Sequence, residues 1–142
     1  IIKMYARLYP AGRKNAVWIA SETVLPQLLT LSISVGTGGN IIQPFNESDG
    51  SFSLLGRPVL FSGGHLPVLG DANDIMLVDL SQYAIGLRKE MRVERSPVPQ
   101  WTTDQMSYRV IVRADGQGTW SSAFTPDNGD TMSWVIGLGA RV

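Results

Sequence analysis

The sequence contains Ala16-Val17-Trp18-Ile19-Ala20, a short apolar run that is rich in β-formers and bounded by residues that favour turns. Such a run is typical of a strand that is covered on both faces. We therefore predict a central strand here, and the flanking segments are interpreted outward from it.

The residues before this strand predict the end of a helix. Four apolar side chains fall at helical spacing: Ile1, Met4, Tyr5 and Leu8. Pro10 and Gly12 stop the helix, because proline cannot continue the hydrogen-bonded ladder and glycine accepts a turn. Since the pattern is already under way at the first residue, which is not Met, we expect a helix cut at its front and a fragment of a longer protein.

A second helix is predicted after the strand. Ser21 or Thr23 can cap it, and Pro26 favours Thr23 because the proline then falls in the first turn, where a missing N–H costs least. Its expected buried stripe consists of three leucines, Leu25, Leu28 and Leu29.

Short strands separated by turns are predicted next. They are residues 41–45 and 51–55, joined as a hairpin by the polar loop 46–50, then 54–62, and then 75–80 with its continuation 83–87. Pro44 places the hairpin at a sheet edge, because proline cannot donate to a ladder. A loop over residues 63–74 carries the only histidine, His65.

From residue 88 apolar and charged side chains alternate. Residues 91–95 alternate, Pro97 and Pro99 interrupt the pattern, and residues 106–113 alternate again, which is typical of a half-exposed antiparallel strand. We predict a turn at Asp115-Gly116, a returning strand over 118–124, a turn at 127–130 and a closing strand over 132–138.

Composition excludes several kinds of chemistry. The 142 residues include 12 Lys and Arg, 12 Asp and Glu, one His and no Cys. Disulfides and the common zinc centres are therefore excluded, and a net charge of zero disfavours wrapping of nucleic acid by bulk charge. Charged residues make up 17%, where about a quarter is usual, which indicates surface that becomes covered. The sequence has no signal peptide and no apolar run of about 20 residues that could span a membrane.

The charges are unevenly distributed along the chain. Residues 1–14 carry four bases and no acid, 15–87 one base and six acids, 88–113 six bases and three acids, and 114–142 one base and three acids. This alternation favours one domain inserted between two parts of another, although chance scatter on one surface would give the same counts.

Features in order along nearly the whole chain resemble the major capsid protein of tailed bacteriophages, in its C-terminal part. They are the strand containing Trp18 with its Leu-rich helix, the strand entry Leu55-Gly56-Arg57-Pro58-Val59, the step Val78-Asp79-Leu80-Ser81-Gln82-Tyr83, the strand into Arg113-Ala114-Asp115-Gly116, and Ser122-Ala123-Phe124. No single feature is diagnostic, so the resemblance depends on their order and spacing.

The resemblance implies an α+β fold in which an axial α/β domain is inserted into a strand-rich peripheral domain. Residues 1–13 would end the peripheral long helix, 14–87 would form the axial domain, and 88–142 would form the peripheral strands. The N-terminal arm and most of the long helix would precede residue 1.

The implied function is structural and non-enzymatic. Copies of the chain would assemble in the cytoplasm of the bacterial host into hexamers and pentamers of an icosahedral shell that becomes the virion capsid. The shell would enclose DNA without sequence-specific binding, and the further partners would be scaffold, portal and head-decoration proteins. The resemblance implies no cofactor, metal or membrane. Some family members cross-link subunits through Lys and Asn side chains. The arm that would supply the Lys would precede residue 1, and residues 102–105, just before the long strand, contain no Asn. No cross-linking residue is therefore assigned.

Four residues are the candidate subunit-interface positions: Arg88, Arg92, Arg95 and Trp101. The three arginines belong to the densest basic run, where DNA contact is one hypothesis. Glu90 and Glu94 interleave them, which favours cross-strand or intersubunit ion pairs. The tryptophan follows two prolines and has the setting of an exposed anchor against a neighbour.

Other functions compete with this interpretation. A bacterial nanocompartment shell, which encloses protein cargo, would share the fold. A small hydrolase or ligand-binding domain could use His65 with Ser62, Asp71 or Asp74, although the G-x-S-x-G elbow is absent.

Three aspartates, Asp71, Asp74 and Asp79, could hold a cation, but their spacing fits no EF-hand. The run Gly36-Thr37-Gly38-Gly39 lacks the Lys-Ser/Thr of a phosphate loop, so we interpret it as a flexible turn.

Overall fold

The computed structural model describes residues 1–35, 40–48 and 50–141, and for residues 34, 35, 40, 41, 100 and 101 it describes the backbone but not the side chains. The chain divides into two compact units, one formed by residues 1–82 with 120–142 and the other by residues 83–119. The assignment of 1–13, 14–87 and 88–142 to peripheral helix, axial domain and peripheral strands stays a prediction. The predicted turn at residues 36–39 and Asp49 of the predicted hairpin loop lie outside the described residues.

Helices are short and strands dominate. The helices are α1 (Ile2–Arg7) and α2 (Leu25–Leu29). The strands are β1 (Ala16–Ser21), β2 (Ile33–Val35), β3 (Asn40–Ile42), β4 (Phe45–Ser48), β5 (Ser51–Leu54), β6 (Arg57–Ser62), β7 (Ile75–Asp79), β8 (Tyr83–Ser96), β9 (Ser107–Gly118) and β10 (Val135–Gly137). Turns of 3₁₀ helix cover Pro10–Lys14, Glu22–Val24, Leu80–Gln82 and Val98–Thr103. In the described parts of the chain, no helix is long and apolar enough to cross a membrane.

The larger unit is built on a six-stranded mixed sheet in the order β10-β7-β1-β6-β5-β4. The predicted central strand is confirmed, because β1 pairs in parallel with β6 and antiparallel with β7. Its Ala16, Trp18 and Ala20 are buried, whereas Val17 and Ile19 are half-buried. One face of β1 is thus fully covered and the other only partly, which corrects the expectation of equal cover.

Trp18 lies at the centre of the core of this unit and is fully buried. Its indole N–H donates to the carbonyl oxygen of Leu54 at 3.0 Å, so the large ring leaves no polar atom unsatisfied. Met4 of α1 and Leu8, which directly follows this helix, pack into the same core. The predicted first helix is confirmed by this packing, and it ends at Arg7.

The predicted capping of the second helix is wrong. No side-chain hydrogen bond caps α2, and its N-cap is Val24. The Thr23 hydroxyl instead accepts from the backbone N–H of Leu69 at 2.9 Å. A tertiary contact with the loop between β6 and β7 therefore replaces the local cap. Of the predicted stripe, Leu28 is buried but Leu29 is 55% exposed.

The edge hairpin is confirmed, but it is tighter than predicted. Strand β4 extends to Ser48, which lies opposite Ser51 of β5, and β4 is the last strand of its sheet. The predicted strand over 41–45 is divided, because Asn40–Ile42 pairs instead with Ile33–Val35. The turn before β6 uses positive φ at Leu55 and Gly56, as the glycine in the sequence predicts.

The smaller unit is an antiparallel ribbon of β8 and β9. The predicted turn at Asp115-Gly116 is wrong, because these residues continue β9 opposite Gly86 and Ile85. A side chain at position 116 would overlap the Tyr83 ring. Glycine at this position therefore allows the aromatic ring to pack directly against the backbone. The predicted returning strand over 118–124 is also absent. Only Phe124 of that segment forms a bridge, to Met132 across the bend at 127–129, and the closing strand is shortened to β10.

Candidate assembly surface

The ribbon separates its side chains into two chemically different faces. Because paired residues of an antiparallel ladder share a face, the register assigns each side chain to one of them. We call them the apolar face and the charged face. The apolar face carries Tyr83, Ile85, Leu87, Val93, Tyr108, Val110 and, by the alternation along β9, Val112, together with Arg95 opposite Tyr108. The charged face carries Lys89, Arg92, Glu94, Arg109, Arg113 and Asp115, together with Ile111 opposite Arg92.

The apolar face is exposed along its length. Ile85, Leu87 and Tyr108 are 70%, 68% and 69% exposed, and Val93 and Val110, which lie directly opposite each other, are 58% and 59% exposed. A two-stranded ribbon is marginally stable alone, and contiguous exposed apolar patches mark interaction sites. This face is therefore the best candidate surface for contact with another chain segment.

Register shifts interrupt the ribbon between Leu87 and Lys89 and again between Lys89 and Arg92. Such bulges re-aim side chains and bend a strand. Arg88 lies in the first shift. Arg92, after the second, forms an exposed ion pair with Glu94 at 2.7 Å. This pair lies within one strand and not across strands as expected, and an intersubunit pair stays a prediction.

The four candidate interface residues are only partly brought together. Arg88 and Arg92 both lie in the bulged part of β8, and Arg95 lies near the end of the strand, opposite Tyr108. The Trp101 side chain lies outside the described residues, so its predicted exposure stays a prediction. The sequence showed the alternation on each strand, but the apolar face emerges only when the two strands are set in register.

A buried polar cluster lies at the end of β7, and sequence reasoning missed it. Asp79 is fully buried and accepts hydrogen bonds from the Tyr9 hydroxyl, from the backbone N–H of Ser81 at 3.0 Å and from its hydroxyl at 2.7 Å. The Tyr9 ring packs against Trp120 at 5.0 Å and over Gly12, where a Cβ would overlap it. The cluster thus joins distant segments of the larger unit around the end of β7.

The same contacts shift two pKa values. Burial alone would raise the pKa of Asp79, but the hydrogen bonds from Tyr9 and Ser81 outweigh it and hold that pKa below its usual range. Burial has the largest effect on Tyr9 and raises its pKa. The hydrogen bond to Asp79 and the negative charge of Asp79 raise this pKa further. Asp79 therefore acts as a structural acceptor of hydrogen bonds and not as a free ligand.

The loop around His65 does not assemble a hydrolytic group. His65 is exposed and makes no hydrogen bond or ion pair with any described residue. Asp74 is fully buried, and its carboxylate accepts from Arg141 and from the backbone N–H of Gly70 at 3.1 Å. Within the described ranges, no three metal-binding side chains cluster. The three aspartates predicted as possible cation ligands do not lie together as one group. Asp74 is paired with Arg141, Asp79 accepts hydrogen bonds from Tyr9 and Ser81, and Asp71 is exposed.

An open apolar groove of about 610 Å³ lies on the larger unit. Its lining includes Ile1, Met4, Leu31, Pro44 and Leu138. Among the described residues of the lining, Lys3 is the only one with a charged side chain. The groove has the character of a packing surface rather than of a catalytic pocket.

The architecture is that of a capsid shell chain. It matches a solved structure described as the capsid of an empty GTA particle computed with C5 symmetry, with a TM-score of 0.59 and 20% sequence identity, over 83% of this chain and 39% of that one. The likeness supports the sheet-rich α+β capsid fold, and this chain spans about two-fifths of the length of the matched chain. The model of the phage capsid family matches residues 1–127, and the chain belongs to that family. No curated protein matches the sequence.

Proposed function

We propose that this chain is part of a major capsid protein that assembles with copies of itself into hexamers and pentamers of an icosahedral shell enclosing phage DNA. It would assemble in the host cytoplasm and reside in the virion. Family membership and fold support a structural protein. Residues 1–13, 14–87 and 88–142 would contribute the end of the long helix, the axial domain and the peripheral strands.

The apolar face of the ribbon is the observation that carries this proposal. A ribbon with seven large apolar side chains on one face gains stability only when that face is covered. A shell makes many contacts, each weak enough to let a misplaced subunit leave and strong together once the shell is closed. Exposed apolar surface beside a charged face suits such contacts.

The candidate positions Arg88, Arg92 and Arg95 are exposed on β8, so they are available to a neighbouring copy. Trp101 is proposed as an apolar anchor at the same interface. A Trp101→Ala protein that assembled as well as the parent would remove that residue from the proposal.

Negative-stain microscopy with light scattering of the natural full chain tests the function. We expect closed shells, rings or capsomers. In the double variant Val93→Lys/Val110→Asp, which replaces two opposed apolar side chains by a pair of opposite charges, assembly should be lost while the circular dichroism spectrum is retained. Leu29→Asp, at a 55% exposed leucine of the larger unit, is the control and should assemble. A natural chain that stays strictly monomeric at high concentration would refute the shell function.

A further inference from the structure

The charged face of the ribbon contains a cross-strand pair of like charges. Lys89 of β8 lies directly opposite Arg113 of β9 in the register. Like charges in directly opposed positions destabilise a ladder. Neither side chain forms a hydrogen bond or an ion pair with any described residue. The isolated chain therefore leaves this repulsion uncompensated.

The local backbone gathers further charge around the pair. Register shifts flank Lys89 on both sides, and bulges of this kind re-aim side chains. A small pocket of about 130 Å³ results, lined by Lys89, Glu90, Arg92, Ile111 and Arg113. Three cations thus surround a cavity that holds one acid.

The nearby acids neutralise only part of this charge. Glu94 is engaged by Arg92 at 2.7 Å. Asp115 accepts from the backbone N–H of Gly116 at 2.8 Å. Glu90 alone leaves an excess of positive charge in the pocket, and a carboxylate placed between Lys89 and Arg113 would convert the repulsion into two attractive pairs.

We propose that this pocket, here called the cation cradle, binds a carboxylate side chain of a second copy of the chain. The proposal rests on the self-assembly proposed above and names one of its contacts. Charge complementarity supports a second copy, because residues 83–119 carry six bases and four acids, whereas the larger unit has exposed acids that no described ion pair engages. These acids are Glu22, Glu47, Asp71 and Asp127. Subunits placed side by side can therefore pair the ribbon of one with an exposed carboxylate of another.

The charged face itself favours a carboxylate over a DNA phosphate. Glu90, Glu94 and Asp115 on or beside this face would repel neighbouring phosphates of a polyanion, which binds best to an uninterrupted basic track. A single side-chain carboxylate brings only one negative charge to the cradle.

The double variant Lys89→Met/Arg113→Met of the natural full chain tests the cradle, since methionine keeps an unbranched, flexible side chain and removes the charge. We expect the critical concentration for assembly, measured by light scattering, to rise at least about tenfold. Its dependence on salt should become weaker than that of the parent. Thermal stability of the unassembled subunit should be equal or higher, because the like-charge repulsion is removed. A merely structural role for the two cations would lower that stability instead.

The control variant Lys3→Met/Lys14→Met removes the same net charge from the other compact unit and should assemble as the parent does. If the parent assembles and the cradle variant assembles equally well, the inference is overturned while the shell function stands. If the variant assembles normally but its shells retain less DNA, the ligand is phosphate and the carboxylate proposal is overturned. A parent that never assembles refutes the proposed function itself.

Discussion

Asp79 illustrates how this fold keeps a buried charge. The carboxylate is fully buried and accepts from the Tyr9 hydroxyl and from two groups of Ser81. Buried carboxylates are tolerated only when donors replace the lost water. The spacing of Asp79 and Ser81 marks a local turn in the sequence, but Tyr9 is 70 residues away along the chain. Sequence reasoning could therefore find half of the cluster and not the other half.

Removing the Tyr9 hydroxyl should destabilise the larger unit. Tyr9→Phe leaves Asp79 with one donor fewer in a buried position, so we expect the free energy of unfolding in urea to fall by about 1–2 kcal/mol. Tyr5→Phe is the matched control, because Tyr5 contacts Arg13 through its ring, which phenylalanine retains. A loss in the control as large as that in Tyr9→Phe would contradict the assigned role.

The lowered pKa of Asp79 predicts acid sensitivity with a definite sign. A carboxyl whose pKa is lower in the folded state stabilises the protein fully above its unfolded value near 4. This contribution is lost as the pH falls from there through the folded value. Urea unfolding between pH 6 and pH 2 should show the loss in the parent and a flatter profile in Asp79→Asn. Identical profiles for the two proteins would refute the assignment.

The Arg141–Asp74 ion pair should matter more than the other ion pair of the larger unit. Asp74 is fully buried while Arg141 is partly exposed, so Arg141→Met leaves a carboxylate in the core and should cost about 3 kcal/mol of unfolding free energy. Arg7→Met breaks the 3.8 Å pair with Asp130 between two exposed side chains and should change it by less than about 1 kcal/mol. Equal effects of the two variants in urea unfolding would contradict this ranking.

At the scale of elements, the sequence predicts whatever is encoded in local periodicity. Strand β1, strand β7, the edge hairpin and helix α1 were all predicted, because apolar spacing and turn residues specify them. The predictions failed where a residue that favours a local cap or turn instead contacts a residue far away in the sequence. Thr23 binds Leu69 instead of capping α2, and Gly116 accommodates the Tyr83 ring instead of forming a turn.

The ribbon should be the less stable part of the unassembled chain. It has two strands and an exposed apolar face, whereas β1 and β7 lie inside a six-stranded sheet. Local opening should therefore expose the amides of β8 and β9 at a lower free energy. Native-state hydrogen exchange should show faster exchange at hydrogen-bonded amides of the ribbon than at those of β1 and β7. Equal protection in both regions would mean that the apolar face is already stabilised within the single chain.

At the scale of the whole molecule, composition and order carried more information than any single motif. The low charge content predicts a surface that becomes covered, the alternation of charge predicts one domain inserted into another, and the ordered features predict the capsid family that the comparison confirmed. The candidate interface was less predictable. Register, bulges and the opposition of Lys89 to Arg113 depend on how two strands pair, and neither strand encodes that alone.

A cryo-electron microscopy reconstruction of particles formed by the natural full chain tests the central claim most directly. The account predicts a closed shell in which the apolar face of the ribbon, including Ile85, Leu87 and Tyr108, is buried against protein. A chain that forms no closed particle, or a shell that leaves this face in solvent, would contradict it.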